Sequence, residues 1–252
     1  MSAHPGRILS AKLTFVNPES LAAELTAALQ ILDEVGADVR EYAGVHGAAA
    51  SMAAVLGNVE LARQEAEIAL GMGRHIGNPS AIGLALYALG LSSWPSDPTA
   101  AQAALKEHIQ IAHATGDDQM MGRVLALLAQ LQARAGDSPR ALGTLRAAIE
   151  SAHLHSDRPA VATCLARGAV VMAATGELET AAVLWGAVSN GVHAHLTVLP
   201  TNEIPGHHVF VARLRSELGD TSYAAATARG AAMTEKEGTA FALAAIAGRQ
   251  RN

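Results

Sequence analysis

Helix-capping residues punctuate the apolar runs of this chain at a regular interval. Asp97-Pro98, Asp137-Ser138-Pro139 and Glu177 lie about 40 residues apart, with Asn58 one interval earlier. Between them, Gly77-Asn78-Pro79, Gly116-Asp117 and Ser156-Asp157-Arg158-Pro159 recur at the same spacing. Asp, Asn and Ser accept hydrogen bonds from the free N–H groups of a first helical turn, and a proline fits that turn because its missing N–H would have no intrahelical partner. Caps at about half the full interval therefore predict helix, tight turn, helix, tight turn, each pair forming an antiparallel hairpin.

Superposing the intervals gives columns that make packing sense. In the second helix of each hairpin, Ala62, Ala101, Ala141 and Ala181 share one column, and Ala66, Leu105, Leu145 and Trp185 another, four residues on. In the first helices, Gly83, Gly122 and Ala162 form a small column, Leu86, Leu125 and Leu165 an apolar one, and Gly90, Ala129 and Ala169 a second small one. Small residues let helices approach, and the larger neighbour fills the gap beside them.

The map that follows is an irregular segment over 1–17 and helical repeats over 18–190. The repeats comprise a leading helix near 18–35 and hairpins near 38–76, 78–115, 117–155 and 157–190. A linker follows over 191–206, with Pro200 and Pro205, and then a C-terminal helical module over 207–252. In that module one helix carries Val209, Phe210, Leu214 and Leu218 and stops at Gly219. A short one runs through Tyr223 and stops at Gly230, and a last one opens on Thr234-Glu235-Lys236-Glu237, a capping box.

Composition agrees. Alanine, the best helix former, fills 55 of 252 positions, while aromatic residues make up only 3%. Such a chain is all-α, and its alanines sit where hairpins would contact one another. Lys+Arg 18 against Asp+Glu 23 gives a net charge of -5, and lysine occurs only at 12, 106 and 236. No stretch offers the concentrated basic surface that binding a nucleic-acid backbone demands, so direct nucleic-acid binding is not expected. The lone Cys164 excludes an intramolecular disulfide framework and a cysteine-based metal cluster. The opening residues lack the plan of a signal peptide, and no apolar run approaches the roughly 18 to 20 residues that span a bilayer. The expectation is a cytoplasmic chain without membrane association.

A helical hairpin of about 40 residues with a fixed alanine in its second helix resembles the tetratricopeptide superfamily, in a longer and divergent form. Gly73-Arg74-His75-Ile76-Gly77-Asn78-Pro79-Ser80, running into Ala85-Leu86-Tyr87-Ala88-Leu89-Gly90, is similar to the C-terminal repeats of bacterial signal-transduction ATPases. These include LuxR-type, MalT-like transcriptional regulators and related adenylate cyclases. The stretch from Arg213 through Leu218-Gly219 and Tyr223 to Glu237 looks like the terminal module of the same proteins, and Ala181-Ala182-Val183-Leu184-Trp185-Gly186-Ala187 fits as well. The resemblance covers roughly 38–248 and implies a right-handed superhelix of hairpins with a short C-terminal helical module. Its implied role is a non-enzymatic protein-interaction or regulatory scaffold, the sensory part of a bacterial signalling system. The family's phosphate loop is absent from this chain, so its nucleotide chemistry does not carry over.

Candidate chemistry is thin. His193, His195, His207 and His208, with Glu203, could in principle surround a metal, yet they lack the i, i+4 spacing of a helical zinc site and read as solvated linker histidines. His108, His113, His153 and His155 read as helix-capping or surface residues. Cys164 aligns with Ala85 and Val124 and reads as a small buried hydrophobe. Glu65/Glu67, Asp117/Asp118 and Glu177/Glu179 read as caps or exposed polar positions. No nucleophile, base and orienting group stand out together, so no enzyme, cofactor or metal is expected.

One face stands apart. Gln119, Arg123, Gln130 and Arg134 recur on a single side of the helix after Asp117, and Tyr87 and Arg167 occupy nearby first-helix positions of neighbouring hairpins. First helices line the concave groove of such superhelices, so these residues could hold an acidic peptide or a chain terminus, with a plain solvated face as the competing reading. The alternative function is a sensor that binds a small-molecule inducer in the groove, with Tyr87, Trp185 and Arg123 as contacts.

Overall fold

The computed structural model describes residues 21–191, 204 and 206–250. Among them there are twelve α-helices and no strand: α1 (Leu21–Val35), α2 (Val39–Val55), α3 (Val59–Ile76), α4 (Pro79–Ser93), α5 (Pro98–Thr115), α6 (Met121–Arg134), α7 (Ser138–Leu154), α8 (Arg158–Ala174), α9 (Leu178–Ser189), α10 (His207–Leu218), α11 (Asp220–Ala231) and α12 (Glu235–Gln250). None is long and apolar enough to cross a membrane. The all-α expectation holds. The segment over 1–17 and the greater part of the linker, with His193, His195 and Glu203, lie outside the described residues.

The caps act where the interval placed them. Asn58, Asn78, Asp97, Asp137 and Asp157 each accept from a backbone N–H two or three residues on, and Asp38 forms a reciprocal capping box with Glu41. Two expected caps differ. Glu177 ends its turn without a side-chain bond and lies 3.4 Å from Arg249 instead. Asp117 caps nothing, because a turn separates it from α6, and its carboxylate accepts from the Ser80 hydroxyl. The helix after it therefore starts at Met121, later than the spacing suggested.

The chain divides into two compact units, 1–120 and 121–252. In the first, α2/α3 and α4/α5 are hairpins, α1 packs on α2, and the first helices α2 and α4 lie side by side. Part of its interior is nearly all alanine: Ala50, Ala66, Ala69, Ala85 and Ala88 are fully buried, with Leu70 and Leu89 at their edge. In the second, α6/α7 and α8/α9 repeat the hairpin plan, and α6 packs on α8. There α11 lies along α9, α10 contacts both, and α12 reaches α7, α8 and α9.

The small columns are interior. Ala62, Ala101, Ala141 and Ala181 are each 0% exposed, as are Ala162, Ala129 and Ala169. Gly230 differs from its expected part. It does not stop α11 but lies in its last turn, against the backbone of α9. A Cβ on Gly230 would stand 2.8 Å from the Ala187 nitrogen, and one on Gly186 would stand 2.6 Å from the Thr227 Cα. Glycine on both helices lets their backbones touch. Gly219 does end α10, at φ +78°, and Thr234 and Glu237 exchange the bonds of the expected capping box.

Candidate functional site

In the first unit several polar side chains turn inward. His46 of α2 and Glu65 of α3 face each other across their hairpin, with Nδ1 2.6 Å from a carboxylate oxygen and both residues buried. Glu65 is thus not an exposed helix-face residue; Glu67 is. The fold of the hairpin gives that carboxylate a donor, and burial without one would be costly.

His108 is likewise not a surface histidine. It is 3% exposed on α5, and its Nδ1 donates to the Gly83 carbonyl at 2.8 Å. A Cβ on Gly83 would come 2.8 Å from the imidazole Cε1, so the glycine of α4 makes room for the ring. Burial holds the His108 pKa below its usual value, against the opposing pull of the Gly83 hydrogen bond and the Asp117 charge. A cavity of about 170 Å³ opens here, lined among others by Ser80, Gly83, His108, Asp117 and Gln119. The Ser80 hydroxyl donates to the Asp117 carboxylate, and His108 Nδ1 is committed to a backbone carbonyl, so that nitrogen does not serve as a base to the serine.

Of the six residues picked from the sequence, two belong to this unit. Tyr87 is buried within α4, and Gln119 is exposed in the turn before α6, at the rim of that cavity and not on a helix. Four belong to the second unit. Gln130 of α6 and Arg167 of α8 meet, the guanidinium Nη1 donating to the amide oxygen at 2.6 Å, and both are buried, Arg167 fully. They are therefore inward polar groups of a helix–helix contact and not part of a solvated face. Arg123, half-buried, reaches Asp157 at 3.5 Å, the residue that caps α8. Arg134 stands exposed in the last turn of α6.

The remaining polar candidates have structural partners. Cys164 is 0% exposed, its thiol 3.4 Å from the Gly122 carbonyl, as expected of a core cysteine. Trp185 is packed between His207, stacked at 6.1 Å, and Phe210, edge-on at 5.2 Å. Tyr223, under Arg215 in a cation–π contact at 5.1 Å, has its pKa raised by burial against the opposing effect of that arginine. Among the described residues no group of three His, Cys, Asp or Glu side chains gathers to hold a metal ion.

Sequence reasoning missed His46 and placed Glu65 and His108 at the surface, yet the register carried a signal for each histidine. His46 stands one interval before Ala85, Val124 and Cys164, and His108 stands between Ala69 and Ala148, all of them buried. Compared with known proteins, the chain matches no protein-family model and no curated sequence.

Proposed function

We propose that this chain is a non-enzymatic regulatory or protein-interaction scaffold built of tetratricopeptide-like hairpins, a plan that in longer arrays gives a right-handed superhelix. Its place would be the sensory repeat region of a bacterial transcriptional-regulator or signalling-ATPase system. The observation that carries this reading is the recurrence of the fully buried alanine column, Ala62, Ala101, Ala141 and Ala181, at one position of four successive hairpins. A chain whose distinctive residues serve helix-to-helix packing is organised to present surface, since hairpin stacking leaves whole helix faces for partners.

The side chains that could do chemistry support the same reading. Cys164, His46, Glu65 and His108 are all buried and engaged in internal hydrogen bonds. The partner surface in this proposal is the α6 end that exposes Arg134, with Arg123 beside the α8 cap, and an acidic peptide or chain terminus is its occupant. An array of acidic peptides probed with the purified chain tests it. Retention that disappears in Arg134→Glu is expected; equal retention by that variant, or turnover of a nucleotide by the chain, would overturn the reading. A second reading, a sensor of a small effector, is favoured by an open apolar cavity between α7 and α12.

A further inference from the structure

The cavity between the end of α7 and the start of α12 has a volume of about 340 Å³, in the range of small-molecule sites. Ile149, Leu154 and Leu243 give it apolar walls, and Leu154 is 77% exposed although it is a leucine. Its polar residues are four: Glu150 and His153 from α7, and Lys236 and Thr239 from α12. Thr239 is 6% exposed and its hydroxyl has no hydrogen-bond partner. A buried hydroxyl in a helix ordinarily bonds back to the preceding turn, so this one is left unsatisfied beside the cavity.

One of the two charges is placed against helix convention. Acidic side chains favour the first turn of a helix and basic ones the last, because of the helix dipole. Here the lysine sits in the first turn of α12. The neighbours of Lys236 are already engaged, Glu235 with Arg158 at 2.8 Å and Glu237 with Thr234. Lys236 and Glu150 have no ion-pair partner among the described residues. An anion at Lys236 would also meet the positive end of α12.

We propose that this cavity binds a small zwitterion with an apolar body, of the class of the aliphatic and aromatic α-amino acids. The ligand's carboxylate lies at Lys236, its ammonium group at Glu150, and its side chain against Ile149, Leu154 and Leu243. A purely anionic or purely cationic ligand would leave one of the two rim charges unanswered. The proposal rests on the small-effector reading, and because the site is separate from the α6 surface its failure leaves the scaffold reading standing.

Calorimetric titration of the full chain with L-leucine, L-methionine and L-phenylalanine tests the proposal. At least one should bind saturably with a Kd below about 1 mM. Leucinamide, which lacks the carboxylate, 4-methylpentanoate, which lacks the ammonium group, and glycine, which lacks the apolar body, should each bind about tenfold more weakly or worse. Lys236→Met and Glu150→Gln, both at exposed positions, should weaken binding by a similar factor with an unchanged circular-dichroism melt. Thr239→Val should leave binding unchanged while the melt stays level or rises, because an unpartnered buried hydroxyl has been removed. Absence of binding by all three amino acids at about 1 mM, or binding shared equally by the amide and the deaminated analogue, or binding unchanged in Lys236→Met and Glu150→Gln, would overturn it.

Discussion

Replacing Gly186 with alanine sets two effects of opposite sign against each other. Alanine in a helix interior is favoured over glycine by about 1 kcal/mol, so propensity alone predicts a more stable α9. The crossing with α11 predicts the reverse. The added Cβ would stand 2.6 Å from the Thr227 Cα and nearer still to its carbonyl oxygen, where ordinary contact begins at 3.4 Å. The obstacle is backbone, so no rotamer change relieves it; α11 must move away by about 1 Å, loosening contacts along the whole crossing. Overpacking of this kind costs about 1–3 kcal/mol and more where nothing can yield, so we expect a net loss of about 2 kcal/mol. Gly143→Ala is the matched control, in α7 of the same unit, with nothing closer than the flexible end of Gln250 at 3.9 Å. It should gain up to about 1 kcal/mol. Urea unfolding followed by circular dichroism measures both. The reasoning fails if Gly186→Ala is as stable as the parent, or if Gly143→Ala loses as much.

Four further outcomes can be measured in the same way. Ala141→Leu places three extra carbons at a position 0% exposed and should cost about 1–3 kcal/mol; an unchanged melting curve would contradict the repeat register. Ser156 holds φ +53° where the preceding intervals place Gly77 and Gly116 at +62° and +73°, so Ser156→Gly should raise stability by about 0.5–1 kcal/mol, and a fall would refute the strain. Burial lowers the pKa of His108 in the folded chain, so the unfolded chain takes up the proton first: its contribution to stability is present above about pH 6.5 and declines as pH falls below it. Unfolding at pH 7.5 and 5.5 should show that decline, flattened in His108→Gln; an unaltered slope in the variant would refute it. Gln130→Leu removes the neutral acceptor of a fully buried guanidinium and should destabilise the second unit by about 1.5–3 kcal/mol, while retention of the parent midpoint would show that the bond matters little.

The interval legible in the sequence reached well beyond secondary structure. Capping residues carry their own partner within three positions, so Asn58, Asn78, Asp97, Asp137 and Asp157 announced helix starts without any tertiary information. Columns of small residues announced burial, because a small side chain is repeated where helices touch. The same register also held evidence against part of the binding face. Arg167 shares its column with Leu127, Ala88 and Ala49, all 0% exposed, and Tyr87 shares one with Ala126 and Ala166, so both were in core positions although their polar atoms suggested a surface. Helical spacing alone says which residues share a side, not which side meets a neighbour.

Some features had no local signature. Asp117 looks like any N-cap in sequence, and only the approach of Ser80 decides that its carboxylate closes a turn against α4. His46 and Glu65 are nineteen positions apart and become partners because the hairpin brings α2 onto α3. Gly186 and Gly230 read as a helix residue and a helix stop, and become one contact only when α9 and α11 cross. The cavity beside Lys236 and Glu150 likewise exists only because α12 returns along α7, more than eighty residues away in the chain. The sequence by itself determined the helices, their ends and most of the buried small positions, because these depend on interactions within a few residues or on repetition. Tertiary structure alone decided which polar groups meet and where a cavity is left, because those depend on how distant helices pack.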